Sequence, residues 1–189
     1  AHRAIRRCDV ALFLIDIAAD ISRVDKELAT AVEKEHKPCI LVVNKWDLVG
    51  TRFTTEEYTR YLNDHLHGLS FAPVSFISAR DRTNVDETLK LAQALFEQAR
   101  HRVTTGQLNA VLQRAEATQS PRASHGKQPR LFYATQIAVT PPTILIFASH
   151  PQLISEQYVR YLGRYFREHL PFPEVPVRFL AQECTFGIL

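Results

Sequence analysis

The sequence predicts an α/β protein in two parts, a partial doubly wound parallel sheet followed by a small α+β domain. Over residues 1–100, short apolar runs alternate with amphipathic helical patterns, which is typical of βαβ units. After Arg102 the order becomes helix, strand, strand, helix, strand. The 189 residues, 46% of them hydrophobic, suffice for one large or two small domains with a buried core. We expect domains at 1–102 and 103–189.

The first part supplies three strands and three helices. The strands are short, apolar and rich in Val, Ile and Leu, which indicates burial on both faces of a parallel sheet. They cover residues 9–17, 39–43 and 73–77. Amphipathic patterns predict helices over residues 23–34, 55–66 and 84–102. Ser22 is a plausible cap of the first helix, and Glu56 and Glu57 suit the first turn of the second.

The second part begins with a short helix over residues 108–117, which Thr104 or Thr105 would cap. Residues 118–130 are polar and predict a loop, and Pro141-Pro142 separates the two strands that follow. The remaining elements are predicted as strands at 131–139 and 143–149, a helix at 155–170 and a strand at 177–182.

Composition argues against several classes of protein. No stretch has the length and apolarity of a membrane span, and no secretory segment is present, so we expect a cytoplasmic protein. Cys8, Cys39 and Cys184 are scattered, and neither they nor the eight His show metal-ligand spacing. We therefore expect reduced thiols and no metal site. The chain has no Met, and its first residues run into an apolar strand, so we expect a fragment whose start is missing.

Charge is distributed unevenly along the chain. The net charge is +3, but residues 1–100 carry 14 Lys and Arg against 15 Asp and Glu, whereas residues 101–189 carry 9 against 5. The second half is therefore the part that we expect to contact RNA.

A polar tetrapeptide, Asn44-Lys45-Trp46-Asp47, directly follows the apolar strand at 39–43. Ligands of α/β sheets bind at the carboxyl ends of strands. The Asp47 carboxylate can accept hydrogen bonds from N1 and N2 of guanine, a pair of donors that adenine lacks. The Lys45 stem can cover the base, and Asn44 can tie this segment to neighbouring loops. The alternative is a polar turn after a buried strand.

A second polar segment, Ser78-Ala79-Arg80, follows the strand at 73–77. It resembles the Ser-Ala-Lys loop of GTPases, in which the backbone N–H of the Ala contacts the guanine O6. Arg80 replaces the usual Lys, which leaves that backbone contact possible. The two segments together indicate the guanine-binding half of a G domain, with Asn44, Lys45, Asp47, Ser78, Ala79 and Arg80 as the candidate site.

Nearly the whole chain resembles one family, the bacterial ribosome-assembly GTPases called EngA or Der. The similarity rests on these stretches: 4–10 with 14–16, 25–28, 42–49, 104–109, 133–136 and 141–143. The most specific is Tyr133-Ala134-Thr135-Gln136, which ordinary GTPases lack. The resemblance implies the later half of a second G domain, of the P-loop-NTPase type, followed by a KH-like domain. It also implies GTP or GDP with Mg²⁺, a role in assembly of the large ribosomal subunit, and contacts with rRNA and with the other G domain.

Two features depart from the family pattern. The sequence contains no Gly-x-x-x-x-Gly-Lys-[Ser/Thr] loop and no switch threonine, which help to hold the phosphates and Mg²⁺ in such proteins. The switch Asp-x-x-Gly motif of the family has no counterpart either, since the one Asp-x-x-Gly string, at 47–50, belongs to the guanine segment. We therefore expect weak or no nucleotide binding and no hydrolysis by this chain alone. The ending at 183–189 is also not rich in Lys or Arg, so it does not predict RNA contact by a basic tail.

Six basic residues of the second half are candidate phosphate contacts. Arg122, Lys127 and Arg130 lie on the polar loop around His125, whereas Arg160, Arg164 and Arg167 follow helical spacing. The alternative for each group is a solvated surface. The half has no Gly-x-x-Gly loop of the kind with which ordinary KH domains clamp nucleic acid. Stacking on bases is one interpretation of Tyr133, Tyr158, Tyr161, Tyr165 and Phe166, and core packing is the other.

Two further interpretations of function stay open at this point. A non-enzymatic module could bind RNA or protein without using nucleotide, which fits the missing phosphate loop. A GTPase acting in tRNA modification or translation would account for residues 1–100, but not for the stretch from Tyr133 to Thr143.

Overall fold

A computed structural model describes residues 2–123 and 126–184 and divides them into two compact units. The first unit contains the residues up to Gln98 together with Glu174–Pro176, and the second contains the other described residues. In the part of the chain that the model describes, no helix combines the length and apolarity needed to cross a membrane.

The first unit is a three-stranded parallel sheet in the order β1-β2-β3 with helices, which confirms the predicted fold class. Its strands are β1 (Ala11–Asp16), β2 (Cys39–Asn44) and β3 (Val74–Phe76). Its helices are α1 (His2–Arg7), α2 (Arg23–Lys34), α3 (Thr55–His65) and α4 (Val85–Arg100), with 3₁₀ turns at Trp46–Leu48 and His67–Leu69.

Burial and helix capping explain these elements. The central strand β2 is buried from Cys39 to Val43, as its unbroken apolar sequence predicts. Ser22 caps α2 in a reciprocal capping box with Asp25, which confirms the predicted cap. Strand β2 and helices α2 and α3 share one apolar core cluster with residues of β1.

Strand register brings the carboxyl ends of the sheet together. Asp16, the last residue of β1, pairs with Asn44, the last residue of β2. Val43 pairs with Phe76 at the end of β3. The segments that leave β1, β2 and β3 therefore start side by side at one edge of the sheet.

The second unit has the predicted order α-β-β-α-β. Its elements are α5 (Thr105–Thr118), β4 (Leu131–Ala138), β5 (Thr143–Ala148), α6 (Glu156–His169) and β6 (Arg178–Glu183), with a 3₁₀ turn at Pro151–Leu153. The sheet order is β4-β5-β6, with β4 antiparallel and β6 parallel to β5. Leu108, Leu112, Leu162 and Phe166 from the two helices are fully buried, so this unit has an apolar core of its own.

The structure differs from the prediction at several element boundaries and adds one helix. Helix α5 begins at Thr105 rather than at residue 108, because Thr104 and Gln107 form a capping box one turn earlier. Helix α4 ends at Arg100 rather than at residue 102. Residues 2–7 form helix α1 ahead of the first strand; its Ile5 packs against the core cluster of the first unit.

Candidate functional site

The two sequence-predicted loops are hydrogen-bonded to each other at the carboxyl edge of the first sheet. The Ala79 N–H donates to Oδ1 of Asn44 at 3.0 Å. The Trp46 N–H donates to the Ile77 carbonyl oxygen at 3.0 Å. The structure therefore joins the Asn44–Asp47 segment and the Ser78–Arg80 segment into one polar surface.

Packing of Trp46 anchors the first of these loops. Its ring centroid lies 4.3 Å from that of Phe76 in β3 and 6.0 Å from that of Tyr58 in α3. Trp46 therefore faces the interior, although it lies between two polar residues of the tetrapeptide. This packing lets Lys45 and Asp47 project from a fixed turn, whose first residue, Lys45, has the left-handed backbone values φ 63° and ψ 32°.

Lys45 forms an ion pair with Asp16 at the end of β1. Lys45 Nζ lies 2.6 Å from Asp16 Oδ2, and Asp16 Oδ1 accepts the Ala18 N–H at 3.0 Å. The hydrogen bond from Lys45, followed by that from Ala18, lowers the pKa of Asp16. Sequence reasoning did not include Asp16 in the site, although its position at the end of the first apolar run was a usable signal.

Asp47 is held by an arginine from the second loop. Arg80 Nη2 lies 3.0 Å from Asp47 Oδ2, and the same guanidinium donates from Nε and Nη2 to both oxygens of Asp81 at 2.9 and 3.0 Å. Asp81 also accepts the hydroxyl of buried Ser78 at 3.2 Å. Hydrogen bonding to Asp81 and the charge of Asp47 raise the pKa of Arg80, which stays charged.

These contacts bring together all six predicted guanine-binding residues. The surface offers a carboxylate at Asp47, a backbone N–H at Ala79 and an aliphatic stem at Lys45. Such a set can accept two parallel N–H donors and donate to a carbonyl oxygen, which is the pattern on one edge of guanine. The Ala79 N–H is engaged by Asn44, so a guanine O6 would share or take over that donor.

The basic candidate residues of the second unit differ in how exposed they are. Arg160 and Arg164 are exposed on α6, whereas Arg167 is partly buried, and its burial, followed by the nearby charge of Arg164, lowers its pKa. Its guanidinium lies against Gly163. Arg122, Lys127 and Arg130 are all exposed, and His125 lies outside the described residues. The predicted stripe of three arginines therefore reduces to two exposed members.

The aromatic candidates also divide. Tyr158 and Phe166 are buried, which agrees with core packing. Tyr133 is 42% exposed and stacks on Phe147 of the neighbouring strand, with ring centroids 4.3 Å apart. Tyr161 is half-buried and donates its hydroxyl to the Ala115 carbonyl oxygen at 2.8 Å. Core packing therefore holds for some of these rings and fails for Tyr133.

Two family models match successive parts of the chain. Residues 1–101 match the elongation factor Tu GTP-binding domain. Residues 102–182 match the KH-domain-like C-terminal region of EngA bacterial GTPase enzymes. The chain belongs to the EngA family, also called Der.

Curated relatives support membership of the EngA family along the whole chain. The GTPase Der of Rhodopirellula baltica is 40% identical over 183 residues, which are 97% of this chain and 40% of that protein. The GTPase Der of Synechococcus sp. strain JA-3-3Ab is 40% identical over 182 residues, with 95% and 40% covered. The chain thus spans about two fifths of the length of these EngA relatives.

One solved structure similar to this EngA-family chain is that of Era in complex with MgGDPNP and nucleotides 1506–1542 of 16S ribosomal RNA. The TM-score is 0.41 at 17% identity, with 96% of this chain and 67% of that chain covered. A likeness at this level carries no argument about function.

Within the described residues, no group of three or more His, Cys, Asp or Glu could hold a metal ion.

Proposed function

We propose that this chain is the guanine-reading and KH-like part of a GTPase that acts in ribosome biogenesis, in assembly of the large subunit. The observation that supports it best is the pair of joined loops, which brings Asp47 and the Ala79 N–H to one edge of the parallel sheet. Family membership supplies the GTPase class.

In this proposal each residue of the site has a separate role. Asp47 accepts the N1 and N2 hydrogens of guanine, and Ala79 donates its N–H to O6. The stem of Lys45 covers the base while its ammonium group pairs with Asp16. Ser78 holds its loop in place through Asp81, and Asn44 holds the Ala79 N–H until the guanine O6 shares or takes over that donor.

The proposed cofactor is GTP or GDP with Mg²⁺. The described residues supply contacts for the base, and the printed sequence contains no phosphate-binding loop motif. Hydrolysis therefore belongs to a protein that contains both halves of the G domain. We expect this chain alone to bind guanine weakly and to hydrolyse nothing.

Replacement of one carboxylate oxygen of Asp47 by an amide nitrogen tests base recognition. Asp47→Asn cannot accept both guanine hydrogens, but its amide can donate to the C2 carbonyl of xanthine. Because a charge-assisted hydrogen bond contributes about 1.5–3 kcal/mol, we expect the affinity for GMP to fall about tenfold or more and that for XMP to rise. NMR titration of the chain with millimolar GMP and XMP measures both. Asp64→Asn, an exposed change on α3, is the control. Equal GMP affinity in wild type and Asp47→Asn would remove the proposed base contact.

The KH-like part is proposed to contact rRNA of the large subunit or the other G domain of the same protein, in the cytoplasm. The observation in favour is the exposure of Arg160 and Arg164 on α6 and of Arg122, Lys127 and Arg130 on the loop. A module that binds RNA without nucleotide is the competing function. Subunit binding that is intact in Asp47→Asn, combined with no shift on GMP addition to wild type, would favour the competing function.

A further inference from the structure

We propose that Arg80 is a positioning residue, which fixes the Asp47 carboxylate in the orientation that guanine requires. The inference rests on the proposed function, since it gives a specificity role to a residue that acts through Asp47. It assigns to the side chain of Arg80 a role separate from the backbone contact of its neighbour Ala79.

The geometry of the guanidinium supports this role. Arg80 is itself fixed, because Nε and Nη2 donate to both oxygens of Asp81, and Asp81 is fixed in turn by Ser78. From that fixed position Nη2 reaches Asp47 Oδ2 at 3.0 Å. A continuous set of polar contacts therefore runs from buried Ser78 in one loop to the carboxylate in the other.

The contact leaves Asp47 free to bind a base. An ionised carboxylate has about four acceptor sites on two oxygens, and the ion pair with Arg80 Nη2 lies against Oδ2 alone. Oδ1 and the second site on Oδ2 remain for two hydrogens. The Asp47 side chain is only 16% exposed, whereas that of Arg80 is 71% exposed, so the arginine approaches from the solvent side.

The chemistry of arginine is essential to this arrangement. A planar guanidinium can donate two N–H groups to Asp81 and still keep Nη2 beside Asp47 as an ion pair. A lysine ammonium in the same place would act as a point charge without the fork. Arg80→Lys should therefore restore only part of what Arg80→Ala removes.

The first experiment needs no nucleotide. Three-bond couplings at Asp47 report whether its χ1 angle occupies one rotamer or several. We expect Asp47 to occupy one dominant χ1 rotamer in the wild type and to average over several rotamers in Arg80→Ala. In Arg80→Lys the population of the dominant rotamer should lie between these two cases. Arg52→Ala removes another exposed arginine of the same unit and is expected to match the wild type. A single Asp47 rotamer in Arg80→Ala would overturn the proposal.

The second experiment measures discrimination between bases. IMP lacks the 2-amino group of GMP, so the ratio of their dissociation constants reports the second hydrogen bond of Asp47. Since exposed ion pairs contribute modestly, we expect Arg80→Ala to lower this ratio about two- to fivefold. The same change in the Asp47→Asn background should have no effect on the ratio. Equal weakening of GMP and IMP would indicate a general structural role and contradict the proposal.

The two experiments separate this inference from the proposed function. If the Asp47 rotamer depends on Arg80 but GMP does not bind, the guanine function fails and the specificity role fails with it. If GMP binds and is distinguished from IMP equally well in wild type and Arg80→Ala, the guanine function stands and Arg80 has no positioning role.

Discussion

The polar residues at the strand ends each connect their own segment to a neighbouring one. Asn44 is the last residue of β2 and also holds the Ala79 N–H, and Lys45 is the first residue of a turn and also neutralises Asp16. A hydrogen bond to the carboxylate favours the ionised form of an acid, and so does a neighbour of opposite charge; Lys45 provides both, which lower the pKa of Asp16. At the scale of single residues, the site is therefore a set of shared contacts.

A buried thiol gives a test at the same scale. Cys39 is fully buried at the start of β2, and burial raises the pKa of its thiol to about 12. Because the thiolate is the reactive form, we expect Cys39 to resist iodoacetamide at pH 8 in the native protein. Cys8 and Cys184 are half-buried and should react sooner. Mass spectrometry of labelled peptides measures the order, with labelling in urea as the control. Early labelling of Cys39 in the native state would contradict the packing described for β2.

Side chains protect the outer edge of strand β4. Asn109 of α5 accepts the Ala134 N–H at 2.8 Å through Oδ1 and donates from Nδ2 to the Ala134 carbonyl oxygen at 3.0 Å. Arg102 Nη1 donates to the Gln136 carbonyl oxygen at 3.1 Å. Exposed edges of sheets are prone to pair with other chains, so these contacts close an edge that would otherwise be open.

Gln136 secures the segment before α5 in the same way. Its Oε1 accepts the Val103 N–H at 2.9 Å, and its Nε2 donates to the His101 carbonyl oxygen at 3.0 Å. Two of the three stretches that marked the family resemblance in this half, Thr104 to Asn109 and Tyr133 to Gln136, are thus connected by side-chain hydrogen bonds. Asn109 bonds to the backbone of Ala134, and Gln136 bonds to the backbone directly before Thr104. These contacts explain the amide side chains at Asn109 and Gln136.

Removal of the Asn109 amide tests the edge contact. Asn109→Ala would leave the N–H and carbonyl of buried Ala134 without these partners. Since an unsatisfied buried polar group costs about 1–3 kcal/mol, we expect the free energy of unfolding to fall by about that amount. Urea unfolding monitored by hydrogen exchange of β4 and β5 amides measures it. Gln113→Ala, an exposed change on the same helix, should have little effect. Similar losses in both variants would argue against a specific role of Asn109.

At the scale of the whole molecule, charge differs between the two halves. Residues 1–100 are nearly neutral, and residues 101–189 carry the excess of Lys and Arg. A local excess of positive charge favours association with nucleic acid even where the net charge of the whole chain is small. The second half is thus the part in which phosphate contacts are proposed.

Co-sedimentation with purified large ribosomal subunits across a salt series tests these contacts. We expect binding that weakens steeply with salt, because phosphate contacts release counterions. The double change Arg160→Gln and Arg164→Gln should reduce the salt slope by about 2. Arg52→Gln with Arg60→Gln, both exposed in the first unit, is the matched control. Equal slopes in the two pairs of variants would show that Arg160 and Arg164 belong to a solvated surface. Absence of binding even at low salt would mean either the same, or that recognition needs the other G domain and its nucleotide.

The sequence by itself determined the elements and their order. Unbroken apolar runs predicted three strands of a parallel sheet, and capping residues predicted the start of α2 at Arg23, because both signals depend on neighbours in the chain. The polar segments after β2 and β3 were also visible as candidate site residues. The prediction missed α1 and began α5 at residue 108 instead of Thr105, although Thr104 had been named as a candidate cap.

The tertiary structure decided which side chains meet. The pairing of Arg80 with Asp47, the ion pair of Lys45 with Asp16, and the burial of Arg167 depend on distances between residues that sequence spacing does not specify. Strand register set the Lys45–Asp16 pair, since it placed Asp16 beside Asn44 at one edge of the sheet. The sequence indicated a guanine-binding type of site, whereas the fold determined which of its charged side chains pair with each other.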